Sequence, residues 1–278
     1  MRLRSLLFVP GDRPDRMEKA LGASADALIL DLEDSVAEAR KTEARDAIVS
    51  FLNRPERKVP LLVRVNPLGS THIDADLVAA TTARADAIML PKAEGAKSIR
   101  ALSTWTGLPI LPIATETPAA IFALGSYKDV GDRLLGLTWG AEDLPAAMGA
   151  TGAREADGRY TAPIETARSL ALLAAHAAGV PAIETVYPDF RDLDGLAAYA
   201  ARGARDGFTG MMAIHPDQVA VINRAFTPGA AEIAAARAIV EAFAAEPRAG
   251  VLAIDGKMVD APHLAQARRL LERAGREA

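Results

Sequence analysis

Two adjacent carboxylates, Glu142 and Asp143, follow the apolar run Leu134-Leu135-Gly136-Leu137-Thr138-Trp139, with only Gly140 and Ala141 between. Acids at the end of a short buried run suit a hard cation, because Mg²⁺ and Mn²⁺ take oxygen ligands. The pattern recurs along the chain. Asp31, Glu33 and Asp34 close the run Ala27–Leu32, Glu116 follows Ile110–Ala114, and Arg64 lies within Leu61–Val65. Other runs end in Asp12-Arg13, in Lys92, in Glu184-Thr185-Val186-Tyr187 and in His215. Acids at several run ends, with an arginine at another, describe a cation site beside an anion receptor. Of the adjacent pair, Asp143 is the metal-ligand candidate, and Glu142 is the charge that favours a helix N-terminus. Gly140 lets a ligand approach the backbone closely. Zinc is disfavoured, since the chain has four His, no Cys and no H-x-x-x-H or H-E-x-x-H pairing. Lys92 raises Schiff-base chemistry as another route, but the acids around it argue for a metal.

These side chains form one site only if the elements carrying them converge. Eight short, almost uniformly apolar runs read as strands buried on both faces: Leu6–Val9, Ala27–Leu32, Leu61–Val65, Ala87–Leu90, Ile110–Ala114, Leu134–Thr138, Ala182–Val186 and Met211–Ile214. Helix-forming sequence lies between most of them, as in Asp15–Ala23, Ala37–Leu52, Ile73–Ala83, Pro118–Leu124, Pro163–Ala178 and Leu193–Ala204. This alternation predicts a (β/α)8 TIM barrel, with its polar strand ends gathered at one mouth. A doubly wound open sheet is the competing architecture. It is weakened by the lack of a G-x-G-x-x-G after the first strand. Beyond the last run, Ala230–Ala245 and Pro262–Ala274 read as two helices. The expected organisation is a barrel domain over residues 1–227 and a C-terminal helical extension over 228–278.

Composition excludes several classes. A hydrophobic share of 50% supports a core, and a net charge of −4 has the wrong sign for general nucleic-acid binding. Any anionic ligand must therefore meet local cations. The absence of Cys excludes disulfides and thiolate chemistry and fits a reducing compartment. The N-terminal apolar run breaks at Pro10-Gly11, too early for a signal peptide, and no segment approaches the roughly 20 apolar residues of a membrane span. A soluble cytoplasmic protein is expected, with no nucleic-acid or membrane partner.

The motifs RSLLFVPGDRPDRMEKA, ADALILDLEDSV, VRVNP, IMLPKAE, IATET, TWGAEDL, AIHPDQV and DGKMVDAP span nearly the whole chain. In this order they resemble the citrate lyase β-subunit-like family of HpcH/HpaI-type aldolases, a group that also holds malyl-CoA and citramalyl-CoA lyases. The resemblance implies a (β/α)8 barrel with Glu116 and Asp143 as Mg²⁺ ligands, Mn²⁺ being an alternative. It implies that Arg64 holds the carboxylate of a 2-oxo acid, assisted by Glu116 and by backbone amides of Gly140, Ala141 and Glu142. Arg13 and Lys19 fall where the family binds coenzyme A phosphates; a solvated helix face is their alternative. Asp260 matches an acid on the C-terminal extension, which in related lyases caps a neighbouring subunit's site; its alternative is a helix N-cap before Pro262. A shared cap implies a homo-oligomer, a trimer or a hexamer. One departure is Met211, where some relatives carry Lys after the glycine.

The implied reaction is Mg²⁺-dependent cleavage of a β-hydroxyacyl-CoA thioester of the citryl, malyl or citramalyl type. Its products are a 2-oxo acid and acetyl-CoA or a homologue. Two alternatives stand beside it: a β subunit of a citrate lyase complex acting on a citryl carrier protein, and a non-catalytic protein that binds oxo acids or CoA.

Overall fold

The computed structural model describes residues 2–275. They fall into two compact units, Leu3–Asn223 and a second that begins at Arg224. Among the described residues, no helix is long and apolar enough to cross a membrane.

The first unit is a (β/α)8 barrel. Its strands are β1 (Ser5–Pro10), β2 (Ala27–Asp31), β3 (Leu61–Arg64), β4 (Ala87–Leu90), β5 (Ile110–Pro112), β6 (Leu137–Thr138), β7 (Ala182–Glu184) and β8 (Gly210–Ala213). They pair in parallel in the order β5-β4-β3-β2-β1-β8-β7-β6. The two ends meet through parallel bridges Ile110↔Leu134 and Ile113↔Thr138, so the sheet nearly closes. Strand β6 is shorter than its apolar run predicts: Leu134 bridges Ile110, but a bend at Leu135 interrupts the ladder before Leu137. At the other seam, β8 starts at Gly210, where a Cβ would lie 1.8 Å from the carbonyl oxygen of Leu3. Only glycine lets β8 approach β1 this closely.

Helices α1 (Pro14–Ala20), α2 (Lys41–Leu52), α3 (Ile73–Thr82), α4 (Ala96–Ser103), α5 (Pro118–Ala123), α6 (Asp143–Met148), α7 (Ala162–Ala177), α8 (Leu193–Asp206) and α9 (Pro216–Ala225) follow the strands. Helix starts are chemically marked. Thr117 accepts from Ala120 N–H ahead of Pro118, and Asp192 accepts from Gly195 N–H, each satisfying an orphan donor of the first turn.

Strand alternation builds both the core and the cavity above it. Leu6, Ile29, Leu62, Met89, Leu111, Ile183 and Met212 pack in the core, with Ala27 and Ala87 making room for the larger chains. Truncating one of them, such as Leu62, to alanine costs about 2–5 kcal/mol. Two residues further along the same strands come Phe8, Asp31, Arg64, Thr185 and Ile214, all lining one cavity of about 320 Å³. The apolar period of two thus continues upward and becomes polar at the mouth.

The second unit contains α10 (Ala230–Ala245), a hairpin of β9 (Val251–Ile254) and β10 (Lys257–Asp260), and α11 (Ala261–Gly275). Asp255 and Gly256 connect the strands with positive φ at both positions, the geometry Asp-Gly favours in two-residue hairpin turns.

Candidate active site

Arg64 ends β3 and points into the cavity mouth. Its Nε and Nη2 donate to the two carboxylate oxygens of Asp31 on adjacent β2, each at 2.6 Å. Its Nη1 lies 2.7 Å from Glu33 Oε2, and its guanidinium carbon stands 4.9 Å from the centroid of the Phe8 ring. A guanidinium has five N–H donors. Two are met by Asp31, while Glu33 faces Nη1 as an ion pair without a hydrogen bond, so N–H donors remain for a ligand carboxylate. Burial alone would push the Asp31 carboxyl up, but the Arg64 bonds, with help from Ser35 and the Glu33 N–H, outweigh it and hold it below the usual value. For Glu33, burial outweighs Arg64 and Lys92, and its carboxyl is pushed up.

Lys92 follows β4 with a left-handed backbone, φ +51°, a conformation that costs a non-glycine residue about 1–2 kcal/mol. There its N–H donates to Glu116 Oε2, while its Nζ lies 2.6 Å from Glu33 Oε1 and 3.4 Å from Asp143 Oδ1. Burial pulls the ammonium down, but Glu33, Glu116 and Asp143 outweigh it and hold it well above the ordinary lysine value. Lys92 is thus a tightly held cation within an acidic cluster, not a free amine, and this opposes Schiff-base chemistry.

Glu116 is almost fully buried after β5. Burial, with Asp143 and Glu33 nearby, raises its carboxyl to about 8 despite the Lys92 N–H. An acid this reluctant to ionise marks a place where added positive charge is favourable. Among the described residues, no three acidic, His or Cys groups come together to hold a metal unaided. Two carboxylates suit Mg²⁺, which keeps several waters and binds through one or two acids plus substrate oxygens. The donor set therefore fits Mg²⁺, and Glu116 and Asp143 are the two cavity acids that could hold it.

Between β6 and α6, the turn at Gly140 passes very close to Glu116. A Cβ at 140 would sit 3.1 Å from Glu116 Cγ and 3.3 Å from Ile113 Cγ2, so any side chain here would press on both. Thr115 Oγ1 donates to Gly140 O at 2.9 Å and accepts from Gly140 N–H at 3.0 Å. The Gly140 amide is therefore already used. Ala141 and Glu142 line the same cavity, and among the described residues their N–H groups have no acceptor. Glu142 precedes the first turn of α6, and Asp143 opens it.

Arg64, Glu116, Gly140, Ala141, Glu142 and Asp143 thus share one cavity. Arg13 pairs with Asp15 at 3.2 Å, and Lys19 is exposed in the last turn of α1. Asp260 belongs to the second unit, where its Oδ1 lies 2.5 Å from His263 Nδ1. The cavity also includes Arg16, which the motif reading passed over. The signal was available, since Arg13, Arg16 and Lys19 are spaced by three, as one helix face requires.

A charged cavity at the C-terminal mouth of a (β/α)8 barrel is where barrel enzymes perform chemistry. Residues 4–216 match the HpcH/HpaI aldolase/citrate lyase family, and the chain belongs to that family. It is 39% identical over 269 residues to a citrate lyase subunit beta-like protein of Mycobacterium tuberculosis, covering 97% of this chain and 94% of the relative. It is 36% identical over 278 residues to a (3S)-malyl-CoA thioesterase of Cereibacter sphaeroides, covering 98% and 94%. Its fold superposes on the crystal structure of CitE from Mycobacterium tuberculosis in complex with magnesium, acetoacetate and coenzyme A. The TM-score is 0.87 at 38% identity, covering 99% of this chain and 98% of that one.

Proposed function

We propose that this protein is a Mg²⁺-dependent carbon–carbon lyase that cleaves a β-hydroxyacyl-CoA thioester of the citryl, malyl or citramalyl type. One observation carries the reading. A single cavity combines two acids suited to Mg²⁺, an arginine with N–H donors to spare and two unpaired backbone amides. The similar mycobacterial protein in complex with magnesium, acetoacetate and coenzyme A supports it.

In this reading Arg64 grips the carboxylate of the oxo-acid part through its remaining donors. Ala141 and Glu142 N–H groups orient that fragment, and Phe8, Ile113 and Met212 exclude water beneath it. A divalent cation held by Glu116 and Asp143 would supply Lewis-acid polarisation of the oxygen that becomes the oxo group. The substrate hydroxyl gives its proton to water, the adjacent C–C bond breaks, and its electron pair passes to the thioester fragment as an enolate. A proton delivered to that carbon gives acetyl-CoA or a homologue, with Asp260 as the donor. Asp260 is carried by the second unit, which we assign to capping the cavity of a neighbouring copy in a homotrimer or hexamer. Arg13 and Lys19 bind the coenzyme A phosphates.

Thioester hydrolysis is a second reading, favoured by the similarity to (3S)-malyl-CoA thioesterase. A coupled assay on the purified chain separates the two. Malyl-CoA, citramalyl-CoA and citryl-CoA are offered with Mg²⁺ or with EDTA, and oxo acid and free thiol are followed together. Mg²⁺-dependent release of oxo acid without free thiol supports the lyase. Free thiol with a hydroxy acid supports hydrolysis. Neither product from any thioester would overturn both.

A further inference from the structure

Glu184 ends β7 with no exposed surface. Its neighbours Ile183 and Thr185 belong to the barrel core and the cavity, so strand alternation turns Glu184 outward into the helical layer. There Oε1 accepts from Trp139 Nε1 at 2.5 Å, from Tyr199 OH at 2.9 Å and from its neighbour Thr185 N–H at 2.9 Å. Oε2 accepts from Arg168 Nε at 2.8 Å, and Arg168 continues to Asp206 at 2.8 Å. Burial pushes this carboxyl up and Arg168 pulls it back. Buried ion pairs are poor sources of stability compared with apolar packing, so stability alone does not account for the cluster.

Its connections lead to the cavity. Trp139 directly precedes Gly140, and its ring meets Tyr160 edge-on at 5.4 Å. Thr185 lines the cavity itself. From the opposite side, Thr115 clamps Gly140 through both its N–H and its carbonyl. The chain is therefore pinned on two sides immediately before the unpaired amides of Ala141 and Glu142.

We propose that Glu184 is a positioning residue for the oxo-acid site. Through Trp139 Nε1 it sets the Gly140–Glu142 turn, so that the Ala141 and Glu142 amides meet the ligand carboxylate. This rests on the proposed function, because the ligand is the oxo acid assigned there.

The test measures pyruvate binding by calorimetry in saturating Mg²⁺, with Mg²⁺ affinity measured separately. W139F deletes the indole donor and keeps an aromatic ring. E184Q keeps an acceptor for the indole and removes the charge. W139F should weaken pyruvate about tenfold, the low end of the effect of supporting partners on a site, and leave Mg²⁺ affinity within about twofold. E184Q should weaken pyruvate less than W139F, a partial rescue that a purely structural role does not predict. In E184Q the Trp139 indole proton resonance should also move upfield, as expected for a weaker hydrogen bond. Should W139F prove unstable, E184Q reads the same link without touching the ring. Wild-type pyruvate affinity in both variants overturns the inference alone. A wild-type chain that binds no oxo acid overturns the proposed function, and this inference with it.

Discussion

Arg64 and Asp31, on adjacent strands β3 and β2, form a two-point ion pair with both contacts at 2.6 Å. The pair fixes the guanidinium plane before any ligand arrives, and it consumes only part of the donor set. Much of what the cavity does follows from that arrangement.

The pair makes stability depend on pH. Asp31 in the native chain is held below the ordinary aspartate value of 3.8, so the unfolded chain binds more protons in that window. The pair's stabilisation is complete above the ordinary value and is lost as pH falls through the native one. D31N should be less stable than wild type at neutral pH, with the gap narrowing in acid. Urea midpoints between about pH 3 and 7 check this; a gap that stays constant with pH contradicts it.

Replacing Arg64 by lysine keeps the charge but loses the planar fork. A lysine cannot hold Asp31 at two points and still offer two donors. R64K should lower kcat/KM about 100-fold or more, with Mg²⁺ affinity little changed. Steady-state kinetics beside metal titration separates the two effects.

Metal binding should depend on both proposed ligands. Loss of a partner that merely supports a ligand typically costs 10–100-fold in metal affinity, so E116A and D143A should each weaken Mg²⁺ roughly 100-fold or more. E116Q should not lower the melting temperature, because the buried acid is already disfavoured in its charged form. Calorimetry and thermal melts decide; retained Mg²⁺ affinity in E116A and D143A would remove these residues from the metal site.

Gly140 offers a milder perturbation. In G140A the new Cβ presses on Glu116 Cγ from 3.1 Å, and the side chain must give way. Mg²⁺ affinity should fall about tenfold while the fold persists. Unchanged affinity would mean that Glu116 moves without consequence for the metal.

Much of the fold was legible along the chain. Runs such as Leu6–Val9 and Ala87–Leu90 are apolar at every position, as a strand buried on both faces must be, and β4 begins and ends where its run does. The alternation of such runs with helical segments determines the barrel. The barrel in turn delivers Arg64, Glu116 and Asp143 to one mouth, because residues at parallel strand ends share a rim. Local chemistry along the chain also marks the short turn Asp255-Gly256.

What the tertiary structure alone decided is which polar groups pair, and which way they point. Asp31 and Glu33 both follow an apolar run, yet one is held low by two bonds and the other is pushed up by burial. Lys92 gains its role only when its backbone turns left-handed and sets three acids around it. Glu184 reads along the chain as one more rim acid beside Thr185. The strand's period of two turns it away from the cavity, onto Trp139 and Arg168. Sequence specifies residue types and local period. The partners of Glu184 and of Lys92 are chosen across distances of 16 and 59 residues, where only packing brings donor and acceptor together.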